Sequence, residues 1–403
     1  MSVSPLLVVY DDAQARQFAP FSLTRPLAAL RAGAGRIGDR WSRAVNPGTT
    51  AHLSSSHLDA FAWSDGNTGA RGVLAPGTII ANARCVLSRD AHIESGDTWT
   101  VGGDVAAVRL ARALPAEALH DGSLDLASLA PAGARQELRG RWLDAPWDLI
   151  GQLPDQILED ARSLADELQD SGSAAGHRIG TNRVVIERDA VVEPFVVFDT
   201  TLGPVIVHAH AHVHAFSRIA GPCVIGRHTQ ILGGRISGSA FGPDCRVHGD
   251  VSASIFVSHA NKAHEGFVGH TVVGQWANLG AGTTTSNLKN SYGAVRIWAP
   301  DGERSSGLTF LGSLIGDHAK LGIGTMLGTG TVIGAGANVF GGGQPPKHVA
   351  PFAWGSSDPF ETFACDKFLA VAERVMQRRK ISLRDTERDL LTQAHHLAET
   401  GDW

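Results

Sequence analysis

Two stretches of the chain set an aliphatic residue at every sixth position. Val207, Val213, Ile219, Ile225 and Ile231 form the first, and Ile315, Leu321, Leu327, Ile333 and Val339 the second. A period of six matches neither the ~3.6-residue turn of a helix nor the two-residue alternation of a strand. It fits a hexapeptide solenoid, in which short strands form the sides of a prism and every sixth side chain fills its axis. Small residues after the aliphatics, as in Leu321-Gly322 and Ile333-Gly334, suit tight corners between the sides. Ile255, Phe267, Val273 and Leu279 stand on the same lattice, so a solenoid is expected from near Arg183 to about Pro351. The rhythm fails near Gly234 to Pro243 and near Ser291 to Gly307, where loops are expected.

Outside the lattice the periods change. Leu6 to Tyr10 reads as an apolar strand that delivers Asp11 and Asp12 to a loop. Pro26 suits the first position of a short helix over LAALRAG, and Thr78 to Ala83 reads as a second strand. The first 145 residues are thus expected to be α/β. Pro146 to Gln169 has apolar residues at helical spacing, predicting a helix or helix pair with Asp160 and Arg162 on its wet side. SGSAAG, residues 171–176, reads as a flexible joint. Phe363 to Arg379 and Ser382 to Glu399 predict two amphipathic helices, placed to cap the unpaired strand edges at the solenoid's open end. The expected domains are 1–170, 177–355 and 356–403.

Composition narrows the function. A chain of 403 residues is long enough for two domains, and a net charge of -5 gives no broad cationic field, so no nucleic-acid partner is expected. No run of about 18 apolar residues occurs, so no membrane insertion is expected. Cys85, Cys223, Cys245 and Cys365 are scattered without CxxC spacing, which argues against a disulfide framework or zinc site. With no basic leader in MSVSPLLVVYDD, a cytoplasmic location is the expectation.

The candidate chemistry lies between the two clean runs, in Gly249 to Asn290, where Asn261, Lys262, His264, Asn278, Ser286, Asn287 and Lys289 crowd together. With coils of about eighteen residues, His264 falls roughly one coil below Gly282 and Thr283. Asp250 falls a little short of one coil before His264, within reach of the imidazole. That set would supply a base, a carboxylate to orient it and backbone amides for an oxyanion. The competing reading of His264 is a plain surface imidazole. His208, His210, His212 and His214 alternate along one strand. No carboxylate follows them at ligand spacing, which favours a solvent or subunit face over a metal patch.

The run Ser258 to Asn290, with NKAHEGFVGH and WANLGAGTTTSNLKN, resembles the acetyltransferase half of a bifunctional family. That family is the N-acetylglucosamine-1-phosphate uridyltransferase / glucosamine-1-phosphate acetyltransferase family. A shorter bacterial variant, labelled sugar nucleotidyltransferase-like, is closer still. FLGSLIGDHAKLGIGT, FGGG followed by PK and PFAWG, and the early LTRPLAALRAG agree with it. The resemblance implies a truncated nucleotidyltransferase-like α/β domain, a left-handed parallel β-helix and a C-terminal helical cap. It implies a transferase of nucleotide-sugar and cell-envelope precursor synthesis, with acetyl-coenzyme A as co-substrate and a homotrimer as the working unit. By position, His264 would be the catalytic base and Asp250 its orienting carboxylate. Asn278 and Asn287 would face the acceptor sugar, and Ala281 and Ser313 the acetyl-coenzyme A channel. Ser252, Phe267, Leu288 and Gly293 replace the family's phosphate lysines and tyrosines, which weakens the grip on a sugar phosphate. Arg235, Lys262 and Lys289 are the candidate substitutes, and a nucleotide-linked amino sugar is as fair an acceptor as glucosamine 1-phosphate.

The first domain lacks the family's glycine-rich GxGTR loop; its strand runs instead into YDDAQARQFAPFSLTRP. Arg16 and Arg25 are candidate phosphate ligands. Asp104, with Asp11 and Asp12, is a candidate Mg²⁺ ligand. Two alternatives stay open: a catalytically weak trimeric sugar-nucleotide-binding scaffold, and a protein active only as a nucleotidyltransferase.

Overall fold

A computed structural model describes residues 5–63, 67–94, 96–172, 175–356 and 359–401. Ser173 and Ala174 of the expected joint lie outside the described residues. The chain forms two compact units, 1–146 with 383–403, and 147–382.

The first unit is a mixed six-stranded sheet. Its order is Gln136–Glu137, Thr98–Val101, Asp104–Arg109, Ile79–Asn82, Leu6–Tyr10, Thr49–Leu53. Leu6–Tyr10 runs parallel to both neighbours, Thr49–Leu53 and Ile79–Asn82, so their carboxyl ends open on one edge. That is where open α/β sheets bind ligands. The helix Ile37–Val45 makes the crossover, burying Ile37 and Trp41, and the Trp41 indole donates to the Cys85 carbonyl at 2.9 Å. The predicted helix over LAALRAG is shorter than expected: one 3₁₀ turn, Leu27–Ala29, before the chain turns extended at Leu30. The last helix, Asp385–Thr400, also belongs to this unit and packs on the turn Ser56–Leu58 through a face that buries Leu390, Leu391 and Ala394. The cap of the solenoid is therefore one helix rather than two. Helix Cys365–Gln377 seats Phe368 against Phe352 at 4.9 Å between ring centroids.

The second unit opens with the helix pair Asp148–Gly151 and Leu153–Glu167, which packs on the solenoid strands Val205–Val207 and Cys223–Ile225. Asp160, expected on the wet side, is fully buried, because the helix lays that face on the solenoid. The solenoid is a parallel β-helix. All ten aliphatics of the two runs lie in its axial core. Val207 pairs with Ile225 and Ile315 with Ile333, eighteen residues per coil, as the period requires.

Between the runs the coils shorten. Ile225 to Phe241 takes sixteen residues, Phe241 to Phe256 fifteen, and Phe256 to Val273 seventeen. A register shift between Ile231 and Gly234 starts the change. The lattice therefore does not run unbroken: Phe256 and Val268 point into the axis where Ile255 and Phe267 were expected, and Val273 and Leu279 recover the phase. The second interruption is a loop, containing the antiparallel hairpin Arg296–Ala299 and Gly302–Ser305.

The glycines after the aliphatics serve close coil packing. A Cβ on Gly334 would lie 2.3 Å from the Pro351 nitrogen of the next coil. The left-handed corner residues come three positions after the axial aliphatics and are often not glycine: Phe195, His210, Phe216, His228 and His318 all have φ near +60°. Their rings stack up the outer edge, Phe195 on Phe216 at 5.7 Å and His210 on His228 at 4.8 Å.

Candidate functional site

The short coils bring the polar residues together. Parallel pairing sets Arg235, Asp250 and Phe267 one above the other. His264 stands on the turn between Asn261–Lys262 and Phe267–Gly269, with its ring exposed to solvent. Among the described residues no hydrogen bond or ion pair joins its imidazole to Asp250, which lies in register with Phe267 instead. Arg235 and Asp250 are both exposed.

What fixes the turn is Lys262. It occupies an axial position, in the stack Val247, Lys262, Leu279, Leu321, and is fully buried. Its ammonium donates to the carbonyls of His264, Glu265 (2.9 Å) and His248 (3.5 Å). Burial pushes the lysine down to about 8. Expected as a contact to substrate, Lys262 is instead an internal clamp on the backbone that presents His264. An unpaired ammonium inside the prism would be untenable, and the turn carbonyls satisfy it.

The amides of Gly282 and Thr283, expected to face an oxyanion, are also spent within the fold. Gly282 donates to the Glu265 carbonyl at 2.9 Å and Thr283 to the Gly280 carbonyl at 3.1 Å. Asn278 accepts from the Asn261 amide at 2.8 Å and stays half-buried, the first rung of an outward ladder that continues to Lys320 and Asn338. Burial pushes Lys320 down to about 7, and its ammonium donates to the Trp276 carbonyl at 2.5 Å.

Asn287 meets His270, 2.8 Å from the Asn287 amide nitrogen to the imidazole Nδ1. The His270 ring stacks on Phe310 at 5.2 Å. His270 and Phe310 were not among the expected site residues; their one mark in the sequence is the spacing of His270 and Asn287, one coil of seventeen residues. Lys289 is half-buried beside Gly293. Ala281 is half-buried, its carbonyl taken by the Gly324 amide at 2.9 Å. Ser313, expected along the acetyl-coenzyme A channel, is fully buried within the chain, its amide donating to the Thr271 hydroxyl at 3.1 Å.

In the first unit the strand ends gather charge. Asp12 takes the Arg84 guanidinium on both oxygens (2.9 and 3.0 Å), the Asn82 amide at 2.8 Å and the Ala15 amide at 2.8 Å. Asp11 is buried and accepts from the Ser54 hydroxyl at 2.5 Å and the Leu27 amide at 3.0 Å. Burial raises it to about 6 against the pull of those two bonds. Arg16 is committed to carbonyls, His120 at 2.6 Å and Leu119 at 3.3 Å, because it ties that loop to the strand end. Arg25 is buried over the Phe61 ring at 5.7 Å. Neither guanidinium is presented to a phosphate. Asp104 sits exposed in the hairpin with Val101, apart from the other two carboxylates. With Asp12 filled by Arg84 and Asp11 hydrogen-bonded in the core, these three carboxylates do not form a Mg²⁺ site.

The geometry defines a class: a Rossmann-like mixed sheet and a left-handed parallel β-helix in one chain. Residues 7–168 match the family model described as sugar nucleotidyl transferase. A stretch of 109 residues is 33% identical to the Bifunctional protein GlmU of Jannaschia sp. (strain CCS1), covering 25% of this chain and 22% of that protein. The first part of the chain is thus similar to sugar nucleotidyl transferases, and a quarter of the chain is similar to a GlmU protein. The matched segment spans about a fifth of the length of that relative. No helix among the described residues is long and apolar enough to cross a membrane.

Proposed function

We propose that the chain is a transferase of sugar-nucleotide synthesis. Its solenoid moves an acetyl group from acetyl-coenzyme A to an amino sugar, held as its phosphate or linked to a nucleotide. Its first unit is a sugar-1-phosphate nucleotidyltransferase-like domain. The observation behind the acetyl-transfer reading is the exposed His264 on a turn that buried Lys262 clamps from within. A neutral imidazole there would take the proton of the sugar amine as it attacks the thioester carbonyl, and the thiol would leave. With Ser313 closed inside the chain, the acetyl-coenzyme A channel would be completed by neighbouring subunits of a homotrimer. The test is thiol release from acetyl-coenzyme A across a panel of amino sugars and their nucleotides. Release that His264→Ala lowers at least a hundredfold supports this reading, and equal inactivity of both proteins ends it.

A second reading is favoured by the missing His264–Asp250 contact and the committed Gly282 and Thr283 amides. It is a sugar-nucleotide-binding trimeric scaffold, or a protein active only through its first unit. Pyrophosphate release from UTP and a sugar 1-phosphate, undiminished in His264→Ala, would favour the nucleotidyltransferase form of it.

A further inference from the structure

The histidine strip 208–214 is the motif that the proposed function leaves unused. Read along the sequence it has no carboxylate at ligand spacing; the solenoid supplies them from the coil below. Val191 pairs with His212 and Val192 with Val213, so Glu193 comes to lie beside His214 on the same outward face. The His212 Nε2 stands 2.7 Å and the His214 Nδ1 3.1 Å from one Glu193 oxygen. The two imidazoles stack at 3.9 Å between centroids. The other Glu193 oxygen accepts the Ala215 amide at 2.9 Å, which holds the carboxylate in orientation. Each of the three side chains is about one-third exposed, so solvent reaches the cluster. It is the one group of three metal-capable side chains found among the described residues, with all donor atoms within 4.8 Å of one another.

We propose that Glu193, His212 and His214 form a binding site for a divalent first-row transition-metal ion, joining two successive coils of the solenoid. Four-coordinate zinc has bonds of about 2.0–2.1 Å, hence donor–donor edges of about 3.4 Å. The 2.7 and 3.1 Å separations are hydrogen-bond lengths, and an ion would open them by about 0.7 and 0.3 Å. Two imidazoles and one carboxylate select zinc or cobalt over Mg²⁺ and Ca²⁺, which favour oxygen donors. Three protein ligands leave a fourth position to water. The neighbouring pair Glu187 and His208, 3.0 Å apart, has only two donors and makes a built-in control.

The test uses the untagged full-length chain, stripped with chelator and titrated with Zn²⁺ and with Co²⁺. One ion per chain is expected, with the visible d–d absorption of low-coordinate Co²⁺, undisturbed by excess Mg²⁺. Glu193→Gln and His214→Ala should each weaken uptake at least tenfold while circular dichroism shows the fold retained. His208→Ala should bind as wild type does. If either variant loses the fold, His212→Asn replaces it in the comparison. No uptake by wild type, or equal uptake by the Glu193 and His214 variants, overturns the site.

Discussion

The two units treat their polar residues in opposite ways. In the solenoid the position along a coil decides which way a side chain points, so Asn278 and Glu193 are carried outward with their coils, and His264 by the turn between two short strands. Lys262 is the exception, and it turns its charge onto backbone inside. In the first unit, charged side chains at the strand ends close on the unit's own groups: Asp12 on Arg84, Arg16 on His120, Asp11 on Ser54. A repeat fold keeps polar groups available on its faces. A sheet whose strand ends lack glycine-rich backbone fills the same space with arginine and carboxylate.

The comparison breaks most visibly in the axial core. Ile333→Ala should cost about 2–5 kcal/mol, because the side chain is fully buried between coils that cannot collapse independently. Chemical denaturation followed by circular dichroism measures it. In the first unit the equivalent is electrostatic. Arg84→Met strands Asp12, whose side chain is 17% exposed, and should cost about 2–3 kcal/mol. Arg139→Met removes the exposed pair to Asp90 and should stay within about 0.5 kcal/mol. Equal losses from the two arginines would mean that burial does not distinguish them.

Lys262→Met sharpens the contrast inside the solenoid. The volume is kept and the axis becomes wholly apolar, yet the carbonyls of His264 and Glu265 lose their ammonium. A loss of about 1–2 kcal/mol is expected, together with a fall in any His264-dependent acetyl transfer. A gain in stability with unchanged activity would show that the lysine is not what holds the turn.

The solenoid was legible because a six-residue period has no competitor, and its ten aliphatics read directly onto the axis. The shortened coils were not legible. A bulge near Gly234 leaves no mark in hydrophobicity, and coils of sixteen and fifteen residues instead of eighteen move Phe256 into the place expected for Ile255. Glu193 was invisible beside the histidines because its neighbour lies one coil on, at a distance no local motif expresses. In the first unit the strands Leu6–Tyr10 and Ile79–Asn82 were readable from apolar runs. The commitment of Arg16 and Arg25 was not, since their partners are a carbonyl loop more than a hundred residues away and an aromatic ring.

The pH dependence of stability separates the units by sign. Asp11 in the first unit is raised to about 6 by burial, above the ordinary carboxylate value of 3.8. Between those values the folded chain holds the proton more tightly, so this residue makes stability fall as pH rises from about 4 to about 6. His348 in the second unit stacks on Trp298 at 3.7 Å, and burial lowers it from 6.5 to about 4. There the unfolded chain binds the proton more readily, so its contribution is complete above pH 6.5 and is lost as pH falls toward 4. Each residue changes the slope by at most about 1.4 kcal/mol per pH unit. Subtracting the profile of Asp11→Asn from wild type should leave a component that falls with pH, and subtracting His348→Gln one that rises. Two components of the same sign would mean that one of these groups is solvated in the folded chain. Asp11 would be the more surprising failure, because its side chain is buried in the core of the first unit.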